Sequence, residues 1–249
     1  GHTIQNGEWL TKLDGISQPI IAPLTNPQVT AVTYSGATQG SSTVVQSSIR
    51  PPIGIVFHPP VIPPSQGESG DTLVIRNDSG GYGYFGASRQ RSSGPGIHAG
   101  IDITSSVDDI IYAPITGKMK KWREGKMNGF RIIGKNDTVN GIDYTGYSTV
   151  CGYNNLITGF SYGDEVKKGD AVAKQANLHS NSTSANWGAN QTQAGNYGSN
   201  VGQHVHFAIE WDSTGNGRFD TDIDPTIADY DPSVTFISSR GGIQTIQRR

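Results

Sequence analysis

The sequence predicts a mainly β protein: an antiparallel β-sheet domain preceded by an N-terminal β segment and a proline-rich linker. Three observations predict it. Gly, Ser, Thr and Asn are abundant and helix formers few, a balance that favours strands joined by long loops. No stretch sustains a helical period. The apolar residues alternate or fall in short runs bounded by turn residues. Prolines crowd into one narrow stretch, Pro51-Pro52, Pro59-Pro60 and Pro63-Pro64.

Residues 1–48 form the first region. Thr3-Ile4-Gln5 and Glu8 to Leu13 flank Asn6-Gly7, a pair suited to the type I′ turn of a β-hairpin. From Gln28 to Gln46 the chain is rich in Ser, Thr, Gly and Gln, which predicts an extended or weakly ordered connector. Residues 49–70 are the linker. Proline fixes φ and removes a backbone donor, so this stretch should be extended and semi-rigid. His58, set among those prolines, is a linker residue in this reading.

The main domain spans 71–249. Leu73-Val74-Ile75 is a short apolar run, and Gly80 to Gly86 is an aromatic-glycine segment suited to the rim of a groove. Gly94-Pro95-Gly96 turns the chain into His98. Ile110 to Pro114 followed by Gly117 to Trp122 predicts a hairpin, and Phe130 to Ile133 another strand. The one candidate helical turn lies between Asp224 and Tyr230.

Composition excludes several function classes. The net charge is −2 and no arginine-rich stripe occurs, so nucleic acid is not an expected partner. No apolar run reaches the ~18 residues of a membrane span. No charged-then-apolar leader opens the chain, and it lacks an initiator Met, as a trimmed, processed or C-terminal piece would. Cys151 is alone, so no internal disulfide is possible.

The chemistry concentrates in two places. In Gly202-Gln203-His204-Val205-His206-Phe207-Ala208-Ile209-Glu210, the two histidines are two apart on a predicted strand and therefore share a face. Upstream, His98 and Asp102 sit four apart. Together these residues offer three imidazoles and a carboxylate. A hydrolytic zinc ion needs three such ligands and an open fourth position. Either half alone also fits a plainer role, two groove histidines or a turn with a hydrogen-bonded aspartate.

The H-x-x-x-D and H-x-H pair resembles the lysostaphin-type zinc metallopeptidases, which cut peptide links in bacterial cell walls. Other landmarks follow in family order. Phe85-Gly86-Ala87-Ser88-Arg89 resembles the family's YGxR lead-in, and Ile111 to Gly117 its VYAPxxG strand and turn. Gly163 to Asp170 resembles its GxxVKKGQ turn, and Asp224-Pro225 its closing proline. The match runs from about Gly80 to Ala228. The resemblance implies an antiparallel β-sheet peptidase domain in which His98, Asp102 and His206 hold zinc and His204 is the catalytic histidine. It implies peptidoglycan stem or cross-bridge peptides as the substrate.

One landmark departs from the pattern. Tyr153-Asn154-Asn155-Leu156 matches a YxHL strand in which the family carries a further catalytic histidine, and Asn155 stands in its place. Asparagine can donate a hydrogen bond to an oxyanion but cannot act as a general base. His179, in a Ser/Asn/Gly-rich insertion from 177 to 200 that also carries Trp187 and Tyr197, is a candidate stand-in or a plain loop residue. The alternative to an active enzyme is therefore a catalytically impaired module with a structural or wall-binding role.

Asp212-Ser213-Thr214-Gly215-Asn216-Gly217-Arg218-Phe219-Asp220 resembles a calcium loop, with Asp212, Thr214, Asn216 and Asp220 as candidate ligands. Ile223 stands where a bidentate Glu is expected, so an ordinary hairpin loop built on Gly215 and Gly217 competes with that reading. The N-terminal hairpin with Trp9 faintly resembles the end of a bacteriophage tail-hub domain. That likeness implies a virion tail setting, with tail or baseplate proteins and further copies of the chain as partners. A secreted or periplasmic wall enzyme is the other setting.

Overall fold

The structure, a computed structural model, describes residues 28–31, 47–51, 54–62, 71–78, 81–91, 94–124, 127–179 and 201–238. The predicted hairpin at Thr3 to Leu13 and the loop bearing Trp187 and Tyr197 lie outside them. The chain is mainly β, and among the described residues the only helix is the single 3-10 turn Pro225–Ile227. Asp224 caps that turn, its carboxylate accepting from the Thr226 amide at 2.9 Å.

A nine-stranded sheet carries the fold. Its strands in chain order are β1 (Thr72–Ile75), β2 (Ile101–Thr104), β3 (Gly117–Glu124), β4 (Met127–Gly134), β5 (Tyr147–Gly152), β6 (Glu165–Val166), β7 (His204–Trp211), β8 (Thr221–Ile223) and β9 (Thr235–Ser238). Their spatial order is β6-β3-β4-β5-β7-β2-β1-β9, with β8 also on β7. Every pairing is antiparallel except β1 with β9. β7 is central. One edge pairs with β5, and the other is shared, its first half by β2 and its second by β8. Its apolar side chains Val205, Phe207 and Ile209 are fully buried among Ile101, Ile103, Phe130 and Ile132. The histidines occupy the alternate positions and therefore the opposite face.

A three-stranded sheet of Ile110–Tyr112, Ala171–Gln175 and Asn154–Leu156 adjoins it. This corrects the predicted hairpin: Ile110–Tyr112 pairs with Ala171–Gln175, while β3 pairs with β4. Between them Ala113 donates to Asp170 and accepts from Gly169, at 2.8 and 2.9 Å, so the chain changes sheets at Pro114 instead of folding back.

Val56–Phe57, within the proline-rich stretch, pairs in parallel with Asp229–Tyr230. Phe57 and Val61 are fully buried in the main core. This segment is docked, because its apolar residues have a core to join. Upstream, Gln28–Ala31, within the expected weakly ordered connector, is a strand paired with Ser47–Arg50.

Candidate metal centre

Strand register assembles the site. His206 on β7 lies directly opposite Asp102 on β2, and directly opposed residues share a face. The row continues across three more strands as Gly152, Gly129 and Trp122. Neither glycine carries a side chain, so the Trp122 indole reaches over both and stacks on the His206 ring, 5.9 Å between centroids and 6° from parallel. A Cβ on Gly129 would come within 1.9 Å of the Cys151 carbonyl.

His98 arrives from the turn before β2. Its amide donates to Ala87 and its carbonyl accepts from Gly86, both at 2.8 Å, so the segment resembling the family lead-in cradles it. Gly100 lets this turn press against β7: a Cβ there would stand 2.3 Å from the Phe207 carbonyl oxygen and 3.0 Å from the His206 ring. Gly83 plays the same part behind Asp102, where a Cβ would meet the Asp102 Cβ at 2.9 Å.

Three donor atoms converge. His98 Nε2 lies 3.0 Å from His206 Nδ1, and each lies 3.2 Å from Asp102 Oδ1. A tetrahedral zinc site with bonds of ~2.0–2.1 Å separates its ligand atoms by about 3.3 Å. The triangle therefore fits a zinc-sized ion without rearrangement. The outer atoms fit as well. His98 Nδ1 lies 3.1 Å from the Tyr84 carbonyl oxygen, which can only accept, so Nδ1 carries the proton and Nε2 presents its lone pair. All three residues are buried.

His204 stands beside this triangle. Its Nδ1 donates to the Gly202 carbonyl at 2.7 Å, which leaves Nε2 as the acceptor, 3.9 Å from Asp102 Oδ1. The Tyr153 ring meets the His204 ring in a T-shaped contact, 4.9 Å between centroids. Burial, opposed by the Asp102 charge, lowers the His204 pKa to about 4, so the ring is neutral at physiological pH. Burial lowers His98 too. Burial by itself would raise the Asp102 carboxyl, but the flanking His204 and His98 hold it well below the usual carboxylate range.

The second oxygen of Asp102 is held by residues to which sequence reasoning gave no role. Oδ2 accepts from Arg76 Nη2 at 3.0 Å and from Arg89 Nη2 at 3.2 Å. Arg89 lies in the lead-in segment, so its position was legible, but nothing in the spacing announces Arg76. Trp122 was likewise named only as a strand residue.

Asn155 lies in the small sheet, two residues beyond Tyr153, and its Oδ1 is buried without a hydrogen-bond partner. Tyr153 itself adopts φ +63°, a left-handed conformation uncommon for a bulky side chain. His179 is exposed. Asp212, Thr214, Asn216 and Asp220 occupy the β7–β8 hairpin loop, away from this cluster in the fold. Asp212 there accepts from the amides of Asn216 and Gly217 at 3.1 and 2.6 Å, and Asp220 from the Ser213 hydroxyl at 2.8 Å.

No family model and no curated protein match the chain. Solved structures do. The SpoIIIAH–SpoIIQ complex has a chain 15% identical, with TM-score 0.41, covering 68% of this chain and 96% of its own. Its structural neighbours include lysostaphin itself. The catalytic domain of that peptidase from Staphylococcus simulans is 20% identical, with TM-score 0.37, over 58% of this chain and 86% of that one. A zinc-containing peptidase from Vibrio cholerae is 18% identical, with TM-score 0.36, over 63% and 39%.

Proposed function

We propose that this chain is a zinc-dependent endopeptidase that hydrolyses peptide bonds in bacterial peptidoglycan. The observation that carries the reading is the buried triangle of His98 Nε2, Asp102 Oδ1 and His206 Nδ1, its edges 3.0–3.2 Å. Zinc, when bound, supplies Lewis acidity toward a carbonyl oxygen and toward an attacking water. The protein does the rest. His98, Asp102 and His206 would hold the ion in one geometry. Neutral His204, with Nδ1–H committed to Gly202, offers Nε2 as the base that takes a proton and passes it to the leaving amine. The exposed rings of Tyr82 and Tyr84, 5.5 Å apart, flank the His98 side of the site as a surface for a peptide. In this reading residues 71–249 are the peptidase domain, 49–70 its docked arm and 1–48 an attachment region. The working location is outside the cytoplasm, at the wall or in a virion tail.

The direct test is release of soluble fragments from purified peptidoglycan by zinc-loaded protein, beside His206→Ala. Release that vanishes in the variant supports the proposal. A zinc-loaded chain that releases nothing from several wall types overturns it.

The second reading, an impaired module with a structural or wall-binding role, is favoured by Asn155. One general acid–base group contributes typically ~10²–10⁴-fold in rate. Asn155→His should therefore raise fragment release by about 100-fold if that group alone is missing. No gain, with the fold intact, would mean that the wild-type set is already complete.

A further inference from the structure

Asp102 divides its two oxygens between different tasks. Oδ1 faces the imidazole nitrogens, while Oδ2 faces Arg76 and Arg89. Of the two arginines, Arg76 is the more deeply buried, with a side chain 7% exposed against 22%. Its other terminal nitrogen, Nη1, donates to Asp78 Oδ1 at 2.7 Å. Asp78 Oδ2 in turn accepts from the Gly202 amide at 2.9 Å. Gly202 is the residue whose carbonyl takes the His204 Nδ1 proton. One continuous path of hydrogen bonds thus runs from Asp102 through Arg76, Asp78 and Gly202 to His204.

Resting on the zinc reading above, we infer that Arg76 is a positioning residue. It keeps Asp102 a one-oxygen ligand and, through Asp78, fixes the Gly202 carbonyl that sets the His204 tautomer. The planar guanidinium suits the task because its fork meets two carboxylates in fixed directions. Backbone geometry reinforces the placement. The Arg76 amide donates to the Asp102 carbonyl at 2.8 Å, and the Arg76 carbonyl accepts from Gly83 at 2.7 Å, so side chain and main chain address the same neighbour. Fold stability alone explains the residue poorly. Its Nε is buried without a partner, a cost an apolar side chain would avoid.

The test compares wild type, Arg76→Met, Arg76→Lys and Asp78→Ala. Zinc affinity is read by competition with a chromophoric chelator. The His204 tautomer is read from ring ¹⁵N shifts of the metal-free protein. Loss of an outer partner of a ligand typically weakens metal binding by ~10–100-fold, which is the effect expected for Arg76→Met. Arg76→Lys, keeping the charge but not the fork, should fall between. Asp78→Ala should leave zinc affinity nearly intact but turn the single Nδ1–H form of His204 into a mixture. An Arg76→Met or Arg76→Lys protein that binds zinc like wild type overturns the Asp102 half of the inference. Unchanged His204 shifts in Asp78→Ala overturn the other half. A wild type that takes no zinc would defeat the metal reading instead, and the tautomer measurement, which needs no metal, would still decide the inference.

Discussion

Among the described residues, two regions have the composition of a metal site, and in one of them three donor atoms converge. The cluster of His98, Asp102 and His206 and the loop from Asp212 to Asp220 both gather oxygen or nitrogen donors within a few residues of β7. In the cluster two of the three side chains have their outer atom anchored elsewhere, His98 on Tyr84 and Asp102 on two arginines, while Trp122 stacks on the third, His206, and the inner atoms are left facing one another. In the loop the carboxylates are occupied by the loop itself, which Asp212 and Asp220 close by accepting its own amides and hydroxyls. Donor count does not separate the two. What separates them is whether a second set of contacts leaves the first set free.

Removing a shared charge should give the largest contrast. Asp102→Ala deprives buried Arg76 and part-buried Arg89 of their common partner. Breaking a buried pair in this way typically costs ~3–5 kcal/mol. The expected result is that loss of stability in chemical denaturation together with loss of zinc binding. Asp220→Ala, at an exposed position, should leave stability close to that of the wild type in the same measurement. Equal effects at the two positions would erase the distinction.

Glycines sharpen it next. Gly100→Ala places a methyl 2.3 Å from the Phe207 carbonyl, so β2 and β7 must separate and carry the ligands with them. Zinc affinity should drop by more than the ~100-fold assigned to an outer-partner loss. Gly215→Ala meets open space at φ +68°, so only the left-handed backbone is penalised, by roughly 1 kcal/mol, with zinc affinity unchanged.

These pairs also show what the sequence could disclose. His204 and His206 were legible because a strand has period two, and His98 and Asp102 because their spacing matches a family pattern. The pairing of His206 with Asp102 needed both the right strand order and the register between β2 and β7. Arg76 was not legible, since its contact with Asp102 crosses from the end of β1 and no local pattern encodes it. Trp122 needed knowledge that Gly129 and Gly152 fall in one row between it and His206. The hairpin assigned to Ile110 through Trp122 failed for a related reason. Turn residues mark where a chain bends, but not which sheet receives the next strand. Within the proline-rich stretch, the docking of Val56–Phe57 depends on Phe57 and Val61 finding the core, which the prolines do not announce.

Acid should separate burial from exposure without any mutation. His204 has a folded pKa of about 4, below the ordinary histidine value of about 6.5. The folded state therefore prefers the neutral ring. The stability this preference contributes is complete above about pH 6.5 and is lost as the pH falls toward 4, where the unfolded chain binds more protons. The loss should be on the order of 2–3 kcal/mol for metal-free protein. His98, lowered in the same direction, adds to it. Asp102 stays ionised in the folded state, and since the unfolded carboxyl begins to bind protons below about pH 5, it adds to the loss only at the acid end of that window. A melting-temperature series from pH 7.5 to 4.5 should fall more steeply for wild type than for His204→Gln. Parallel curves would place the titration elsewhere.

The smallest expected effect bears on the loop. Asp212 Oδ2 accepts the Gly217 amide at 2.6 Å and Asp212 Oδ1 the Asn216 amide at 3.1 Å, while Thr214 Oγ1 lies 3.4 Å from Asp220 Oδ2. A calcium ion would have to draw these oxygens together at ~2.3–2.6 Å from itself and find a bidentate acid where Ile223 stands. Binding stabilises only through affinity for the folded form, so millimolar calcium should move the melting temperature by less than about 1 °C. Asp212→Ala should cost roughly 1 kcal/mol from the two lost amide bonds, with or without calcium. A calcium-dependent rise of several degrees that EGTA reverses and Asp212→Ala abolishes would show that the loop's internal hydrogen bonds yield to an ion. Occupied donors would then no longer distinguish a hairpin from a metal site, and freedom of the inner atoms would have to be judged by how weakly they are held.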